Sequence, residues 1–321
     1  MAQCRPPPYD VMLKTFMRPE KLERCLASIQ RLNPPPQRVV VADDGPESPE
    51  KERVYKAFDG LPGFKLLRLE FDAGISRSRN QAFKHTSAPY VLLIDDDHYL
   101  PTNIFELRWV LEADPLLGGV SPFWEEYGVV FCGASDIHLG SWIIRDVERP
   151  KQVYWAEPGL HYLTLDLIPN TTLFRRECLQ DLAWDEAYII GGEHLDFYVC
   201  HKKLGRWRFA VTPNLVVSHD PKSLDQEYNR HRTSREKGER STRYFLEKHG
   251  VKGFLTLDVL LPKDRSTAGA FRRALKKRLA PRWLLWQLQN QGFWYDYRTR
   301  RRARKPSVST PSKQAPGSQS G

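Results

Sequence analysis

The first hundred residues alternate between short apolar runs and longer stretches with helical periodicity. Between the first two runs, leucine and isoleucine recur every three or four residues from Leu22 to Leu32, which indicates one face of a helix. Ser48 and Gly74 mark the starts of two further helices. The apolar runs predict strands over 9–14, 38–42, 65–69 and 90–94. Strands that alternate with helices predict an α/β fold with a Rossmann-like, mostly parallel central sheet and flanking helices.

Polar residues follow three of these four predicted strands. Thr15 follows the first strand, the acidic pair 43–44 follows the second, and the acidic run 95–97 follows the fourth. In open parallel sheets, ligands bind beyond the carboxyl ends of the strands. The pattern therefore predicts a ligand site at this edge of the sheet.

The acidic run indicates how a phosphate-containing ligand would be bound. Carboxylates repel phosphate, but they can bind it through a divalent cation such as Mn²⁺ or Mg²⁺. Strand alternation directs Asp95 and Asp97 to one side and Asp96 to the other. One of the outer pair would accept a ribose hydroxyl while the other holds the cation. The alternative is a solvated acidic turn.

Other residues near the strand ends suit the remaining parts of a nucleotide. Asp44, which precedes a glycine, can accept the N3–H of a uracil or read another base edge, or it is a turn aspartate. Phe16 is placed to lie against a base, or it belongs to the core. Arg79 and Asn80 follow Gly74 on a helix, where the guanidinium could reach a diphosphate or remain exposed.

Four segments in this order, LKTFMRPEKLERCLASI, VVVADDG, DAGISRSRNQA and YVLLIDDDHYL, resemble the nucleotide-binding half of a family 2 glycosyltransferase with the GT-A fold. The resemblance runs over residues 9–112. It implies a ribose contact at Asp95 and a metal ligand at Asp97, with Asp96 a rival for either role. It further implies nucleotide-sugar contacts at Thr15, Phe16, Arg18, Asp44, Arg79 and Asn80.

The second half carries candidate acceptor-side chemistry. Two glycines precede a predicted helix that ends at Gly205, and Glu193 and Asp196 share one face of it. Family 2 enzymes usually carry Glu-Asp here, with the aspartate as base, whereas this chain has His194. The segment EHLDFYVCHKKLG also resembles the HLEFF segment of the β1,4-N-acetylgalactosaminyltransferases, which favours His194 as base. Glu193 and Asp196 are the alternatives, either as base or as helix caps.

Three more residues of this half are candidates. Metal-dependent GT-A enzymes often take a further ligand from a histidine placed like His219, which follows a β-like run. Trp184 and Gly192 are candidate acceptor contacts, although a buried tryptophan is the commoner outcome.

Composition and charge narrow the protein class. Of the 49 Lys and Arg and 39 Asp and Glu residues, 15 basic and 2 acidic ones lie from Lys263 onward, so the preceding body carries a net charge of −3. A body of that charge is not expected to bind nucleic acid. Hydrophobic residues at 40% exclude a disordered chain. The absence of GxGxxG after the first strand and of GxxxxGKS argues against a nicotinamide dehydrogenase or P-loop enzyme.

The basic C-terminal part has a pattern of its own. Phe271, Leu275 and Leu279 recur every four residues among arginines and lysines, which predicts an amphipathic helix on an anionic membrane surface or packed on the body. We therefore divide the chain into an extension (1–8), a GT-A domain (9–255, with halves 9–112 and 113–255), a basic helical extension (256–305) and a disordered tail (306–321).

Location and function follow as expectations. Five scattered cysteines and no apolar leader favour a cytoplasmic, membrane-associated protein, or a Golgi-lumenal one if an anchor precedes this chain. We predict a metal-dependent, inverting glycosyltransferase that moves a UDP-hexose or UDP-N-acetylhexosamine sugar to a glycan or glycolipid. The alternatives are a nucleic-acid-binding protein with an inactive scaffold and a sugar nucleotidyltransferase. The prediction requires the three carboxylates of 95–97 to face a cavity and not to be tied up by arginines.

Overall fold

A computed structural model describes residues 6–279 and 281–284. It separates into two units, Met1–Ala280 and Pro281–Gly321. In the second unit the described residues form one turn, in which the amide of Leu284 bonds to the carbonyl of Pro281. The predicted disordered tail and the basic run 298–305 lie outside the described residues, as do residues 1–5.

The described part of the first unit contains strands in both halves of the chain. They are β1 (Tyr9–Thr15), β2 (Arg38–Asp43), β3 (Lys65–Arg68), β4 (Tyr90–Asp95), β5 (His98–Tyr99), β6 (Leu117–Glu126), β7 (Val129–Phe131), β8 (Asp136–His138), β9 (Ile143–Asp146), β10 (Tyr154–Ala156), β11 (Leu160–Leu165), β12 (Thr172–Arg175), β13 (Arg208–His219) and β14 (Phe254–Thr256).

Helices connect or cover these strands. They are α1 (Pro19–Gln30), α2 (Pro49–Phe58), α3 (Ile75–Lys84), α4 (Leu107–Ala113), α5 (Arg176–Asp181), α6 (Glu193–Leu204), α7 (Gln226–Arg232), α8 (Arg235–His249) and α9 (Thr267–Leu279), with a 3₁₀ turn at Ile104–Glu106. The predicted starts hold: the Ser48 hydroxyl accepts a hydrogen bond from the Lys51 amide to cap α2, and Gly74 precedes α3.

One large sheet organises the molecule, in the order β10-β11-β13-β6-β12-β4-β1-β2-β3. β4, β1, β2 and β3 run parallel, as predicted, and β6 and β13 are also parallel to each other. β12 lies between β4 and β6 and is antiparallel to both. Because β12 is antiparallel to both neighbours, β4 and β6 point in the same direction. The carboxyl ends of β1, β2, β4, β6 and β13 therefore lie at one edge of the sheet.

The core explains why the first hundred residues were readable from their pattern. Val11 of β1 and Leu92 of β4 are fully buried, and α1 buries Leu22 and Leu26 in the same cluster. A strand that is buried on both faces reads as a continuous apolar run, and a helix that covers it shows a single apolar stripe. The predicted α/β class with a largely parallel central sheet is therefore confirmed.

The second half is richer in strands than its pattern indicated. β8, β9 and β14 form a separate small sheet, and β10 and β11 extend the large sheet by antiparallel pairing. Short strands of three or four residues carry too little alternation to be recognised in sequence.

The amphipathic helix predicted near the C-terminus is present as α9. Lys277 lies 2.7 Å from Asp146, and Arg273 lies 3.5 Å from Asp258, so ion pairs join the helix to the body. Phe271 is exposed over 66% of its surface and Leu275 over 42%. Within the described residues, no helix is both long and apolar enough to cross a bilayer.

Candidate active site

A cavity of about 280 Å³ opens at the edge where the carboxyl ends of the strands meet. All three residues of the acidic run 95–97 line it, together with residues from β6, from the end of β13 and from the start of α6. The predicted ligand site is therefore present as a cavity. Several wall residues were not picked out from the sequence: Asp72, His98, Trp124, Asn170, Tyr228 and His231.

The acidic run faces the cavity, but arginines also bind it. Nη2 of Arg79 donates to both carboxylate oxygens of Asp95, at 3.1 Å each. Arg18 spans the other two residues: its Nη1 lies 2.7 Å from Asp97, and its Nη2 contacts Asp96. The expectation that arginines would not engage these acids is therefore wrong: the acids face the cavity, as required, but in ion pairs that a bound cation would have to replace. Without positive charge nearby, three adjacent carboxylates would repel one another strongly.

The electrostatics separate the three acids. Burial raises the pKa of Asp96, against the charge of Arg18, and the neighbouring carboxylate of Asp97 raises it further. Although burial acts in the same direction on Asp97, the neighbouring imidazole of His219 and the charge of Arg18 hold its pKa well below the usual range. Asp97 is therefore the more acidic of the pair and the better suited to serve as a cation ligand.

Asp97 lies beside two histidines. One nitrogen each of His98 and His219 and one oxygen of Asp97 all lie within 4.8 Å of one another. His219, the predicted histidine ligand, thus lies beside Asp97, as the sequence suggested. His98 was missed, although it directly follows the acidic run. A carboxylate and an imidazole suit Mn²⁺, so Asp97 and His219 fit the predicted cation.

Neighbouring groups fix the two imidazoles. The Asp95 amide donates to Nδ1 of His98 at 3.1 Å, so in the neutral ring the proton is on Nε2, the nitrogen that approaches Asp97, at 3.9 Å. Nδ1 of His219 faces the carboxylate of Glu126 at 2.8 Å and carries the ring proton there, which leaves the lone pair of Nε2 toward Asp97 at 3.7 Å. Burial lowers the pKa of His98 to about 4, so its neutral ring turns an N–H toward Asp97, whereas His219 can offer a lone pair to a metal.

The cavity also contains the residues that were predicted to contact the nucleobase. Asp44 is 1% exposed; its Oδ2 accepts from the Gly74 amide at 3.0 Å, and its Oδ1 lies 3.0 Å from Lys14 Nζ. The Phe16 ring meets the His231 ring edge-on, with ring centres 5.5 Å apart, and both residues line the cavity. Asp44, Phe16 and Arg18 all line the cavity, as predicted.

Three of the predicted donor contacts do not line the cavity. The hydroxyl of Thr15 is buried and donates to Asp96 at 2.7 Å, so it positions that acid from behind. Asn80 bonds to the backbone of Trp184 through both ends of its amide. Arg79 is 1% exposed beneath the cavity and acts through Asp95. These three residues support the wall and are not placed to touch a ligand directly.

The start of α6 decides which residue can act as base. Glu193 lines the cavity, is buried, and has one carboxylate oxygen, Oε2, with no hydrogen-bond partner among the described residues. Gly191 and Gly192 precede it at φ +79° and +88°, a region where only glycine is unstrained. An unpartnered buried carboxylate is costly and is what a proton acceptor for a ligand hydroxyl requires.

His194, the favoured base, points elsewhere. It lines a second cavity with Gly192 and Arg145 on the far side of the α6 start. Burial and the charges of Arg79 and Arg145 lower its pKa to about 3, so the ring is a weak proton acceptor. The preference for His194 is therefore wrong on position, because one helical step rotates the side chain by about 100° away from Glu193.

Asp196 is also committed to another role. Its carboxylate lies 2.8 Å from Lys248 and 2.7 Å from His249, and it accepts from the Tyr188 hydroxyl at 3.1 Å. These contacts join α6 to α8 and leave Asp196 outside the main cavity wall. Asp196 is thus an anchor of the helix and not a candidate base.

The two residues that were predicted to contact the acceptor do not line the main cavity. Trp184 is 4% exposed and stacks on Phe197 with ring centres 4.8 Å apart, so it belongs to the core. Gly192 lines the second cavity and not the main one. Its own role is conformational, since a Cβ there would lie 3.1 Å from the Tyr188 ring.

Comparison with known proteins identifies relatives of similar sequence. The Glycosyl transferase family 2 model matches residues 10–109. A β-1,4 N-acetylgalactosaminyltransferase 2 from Mus musculus is 36% identical over 239 residues, or 70% of this chain and 43% of that protein. The β-1,4 N-acetylgalactosaminyltransferase 1 of Rattus norvegicus is 28% identical over 218 residues, or 66% and 39%. The chain thus spans about two fifths of the length of these curated relatives.

A solved structure supports the fold. The crystal structure of GalNAc-T7 with UDP, GalNAc and Mn²⁺ superposes with a TM-score of 0.56 at 13% identity, over 75% of this chain and 48% of that one. At that identity the likeness concerns the fold alone. The matched segment coincides with β1 to α4, which carry the acidic run and the base end of the cavity. Residues 10–109 of this chain therefore resemble the family 2 glycosyltransferases in sequence, within a fold of the GT-A type.

Proposed function

We propose that this protein transfers a sugar from a UDP-linked donor to a hydroxyl of a glycan or glycolipid acceptor. The observation that carries the proposal is the convergence on one cavity of Asp44, the acidic run 95–97, His219 and Glu193. These groups come from three strand ends and one helix start. Together they provide a contact for the nucleobase, a centre for the cation and the diphosphate, and a proton acceptor.

The donor would lie along the strand ends. The nucleobase of the donor would stack near Phe16 and contact Asp44. Among the described residues, Oδ1 of Asp44 is held only by the ion pair with Lys14. UDP is favoured because a fold neighbour was crystallised with UDP and Mn²⁺. N-acetylhexosamine is the favoured sugar, since the matching relatives are named β-1,4 N-acetylgalactosaminyltransferases.

Asp97 and His219 would hold the divalent cation, Mn²⁺ or Mg²⁺. When bound, the cation supplies positive charge that neutralises the diphosphate leaving group. The chain's own residues prepare this centre. Glu126 orients His219, the Asp95 amide orients His98, and the ring of Trp124 lies 4.4 Å from that of His219.

Glu193 would act as the general base of a single displacement. The acceptor oxygen forms a bond to the anomeric carbon while the bond from that carbon to the diphosphate oxygen breaks. The hydroxyl proton passes to Oε2 of Glu193, and the electron pair leaves with the diphosphate. A single displacement inverts the anomeric configuration, which agrees with the expected inverting reaction.

We further propose that α9 brings the protein to an anionic membrane. Phe271 and Leu275 are exposed on this helix, beside Arg272 and Lys276. Apolar side chains flanked by basic ones suit insertion at a lipid interface. A membrane-bound location would place the cavity near glycolipid acceptors.

The decisive experiment measures UDP binding to the full chain by calorimetry, with Mn²⁺ and then with excess EDTA. We expect binding that chelation removes and that Asp97→Asn abolishes. Asp181→Asn is the matched control, because Asp181 pairs with Arg206 on the surface away from the cavity. Binding that ignores EDTA would contradict the cation role. Incubation with UDP-N-acetylhexosamine and acceptor should release UDP, whereas release of pyrophosphate from UTP and a sugar 1-phosphate would indicate a nucleotidyltransferase.

A further inference from the structure

Arg18 has an unusual setting at the centre of the cavity. It directly precedes Pro19, the first residue of α1, and its guanidinium spans Asp96 and Asp97. The guanidinium carbon lies 4.6 Å from the centre of the Tyr228 ring, which covers it. Arg18 thus supplies the positive charge on two of the three acids in the absence of any ligand.

The cation site and Arg18 share one carboxylate oxygen. Oδ2 of Asp97 lies 2.7 Å from Nη1 of Arg18 and 3.7 Å from Nε2 of His219. A divalent cation held by Asp97 and His219 would therefore lie close to the guanidinium. Two positive groups at that separation repel each other, most strongly in a buried site.

A neighbouring cation shows what a purely structural role looks like. Lys51 is 2% exposed, and its ammonium group lies 2.6 Å from Asp43 and bonds to the Phe16 carbonyl, away from the cavity. Arg18 instead lines the cavity. Its Nε is buried with no hydrogen-bond partner among the described residues. It therefore retains a donor that an entering oxygen could use.

We propose that Arg18 is a displaceable counter-ion: it competes with the divalent cation for Asp96 and Asp97, and it moves to the donor's diphosphate when donor and cation bind together. This inference rests on the proposed function. Two carboxylates and one guanidinium leave one negative charge, which attracts a cation but repels a diphosphate. Adding a divalent cation makes this centre positive, and a guanidinium matches phosphate oxygens in geometry as well as charge.

The inference predicts effects of opposite sign when the charge of Arg18 is removed. Mn²⁺ should bind the empty protein more tightly, because its competitor is gone. UDP should bind the Mn²⁺-loaded protein more weakly, because a diphosphate contact is lost. An arginine that merely holds the carboxylates in place would give losses in both affinities.

The test uses Arg18→Gln in the full chain. Mn²⁺ binding is followed by electron paramagnetic resonance without nucleotide, and UDP binding by calorimetry at saturating Mn²⁺. We expect the Kd for Mn²⁺ to fall and that for UDP to rise, each by at least about fivefold, the lower end of typical coupling between sites. Arg24→Gln is the matched control, because Arg24 lies on the same helix and pairs with Asp220 at 3.4 Å. It should change neither value.

A second variant separates charge from shape. Arg18→Lys keeps the positive charge, so Mn²⁺ affinity should stay near wild type, while UDP binding should weaken because the planar fork is lost. Weakening of both ligands in Arg18→Gln, or no change in either, overturns the counter-ion role. If wild type still binds UDP in a Mn²⁺-dependent manner in that case, the proposed function stands and only this inference fails.

Discussion

Among the acids near the carboxyl ends of the strands, Glu193 differs from the others in its ion-pair and hydrogen-bond partners. Asp43, Asp44 and Asp95 each face a lysine or arginine within 3.1 Å. Glu193 is buried nearby, and its Oε2 has no hydrogen-bond partner among the described residues. A carboxylate kept without a partner in a folded protein costs stability, which is expected where chemistry needs it.

Replacing that carboxylate should separate catalysis from binding. Glu193→Gln keeps the size of the side chain but removes its ability to take a proton. We expect kcat for glycosyl transfer to fall by at least about 10²-fold, the usual contribution of a general base, while Mn²⁺-dependent UDP binding stays at the wild-type value. Steady-state kinetics and calorimetry would measure the two effects.

The adjacent histidine provides the control. His194→Gln should change kcat by less than about threefold, because the imidazole lies in the other cavity and is a weak base. A large loss of kcat in His194→Gln together with an active Glu193→Gln would contradict the assignment of the base.

At the scale of elements, the turn between β3 and α3 joins the two halves of the cavity. Gly74 has φ +97°, and its amide donates to Asp44 at 3.0 Å. A Cβ at this position would lie 2.7 Å from the Cα of Ile189, which belongs to the loop before α6. The glycine is therefore required both by its backbone conformation and by the close approach of that loop.

Gly74→Ala should damage both stability and donor binding. We expect a loss of about 1–3 kcal/mol from backbone strain and the clash, seen as a lower melting temperature, and weaker UDP binding because Asp44 shifts. Gly60→Ala is the matched control, since no atom lies within 4 Å of its added Cβ. It should melt at or slightly above the wild-type temperature. An unchanged Gly74→Ala protein would refute the role of this turn.

The anchoring of α6 is a second feature of this scale. The buried carboxylate of Asp196 binds Lys248 and His249 of α8. Glu193 lies one turn earlier on α6 and lines the cavity. The ion pairs fix the rotation of α6 about its axis. This rotation determines that Glu193, and not His194, faces the strand ends.

At the scale of the whole molecule, charge is divided between the two ends of the chain. The body up to residue 262 carries a net charge of −3, and the rest carries the basic excess. Part of that positive charge lies on α9 and forms ion pairs with the body, Lys277 with Asp146 and Arg273 with Asp258. Its Phe271 and Leu275 remain exposed and available for an interface.

Membrane binding through α9 gives a prediction for the intact chain. The double variant Phe271→Asp with Leu275→Asp should no longer sediment with vesicles of phosphatidylcholine and phosphatidylserine, because charged groups do not insert at a lipid interface. Leu116→Asp is the control, since Leu116 is 55% exposed on the body. UDP binding should be unchanged in both. Continued sedimentation of the double variant would rule out α9 as the membrane contact.

Much of the donor half could be predicted from the sequence alone. Its parallel strands are buried on both faces, so each appears as an apolar run, and the polar residues that end them stand out by contrast. Asp44 and the acidic run 95–97 were found in this way, and so was their common edge. Local sequence sufficed because each of these residues directly follows its own strand.

The acceptor side depended on the tertiary structure. Glu193, His194 and Asp196 lie within a single turn of α6, and the sequence could not tell which of them faces the donor, because the packing of α6 on α8 sets that rotation. Likewise, Arg18 and the acidic run are some eighty residues apart, and only folding brought them into contact. Sequence thus determined the elements and the chemistry at their ends, whereas long-range packing decided which charged groups are paired and which one is left to react.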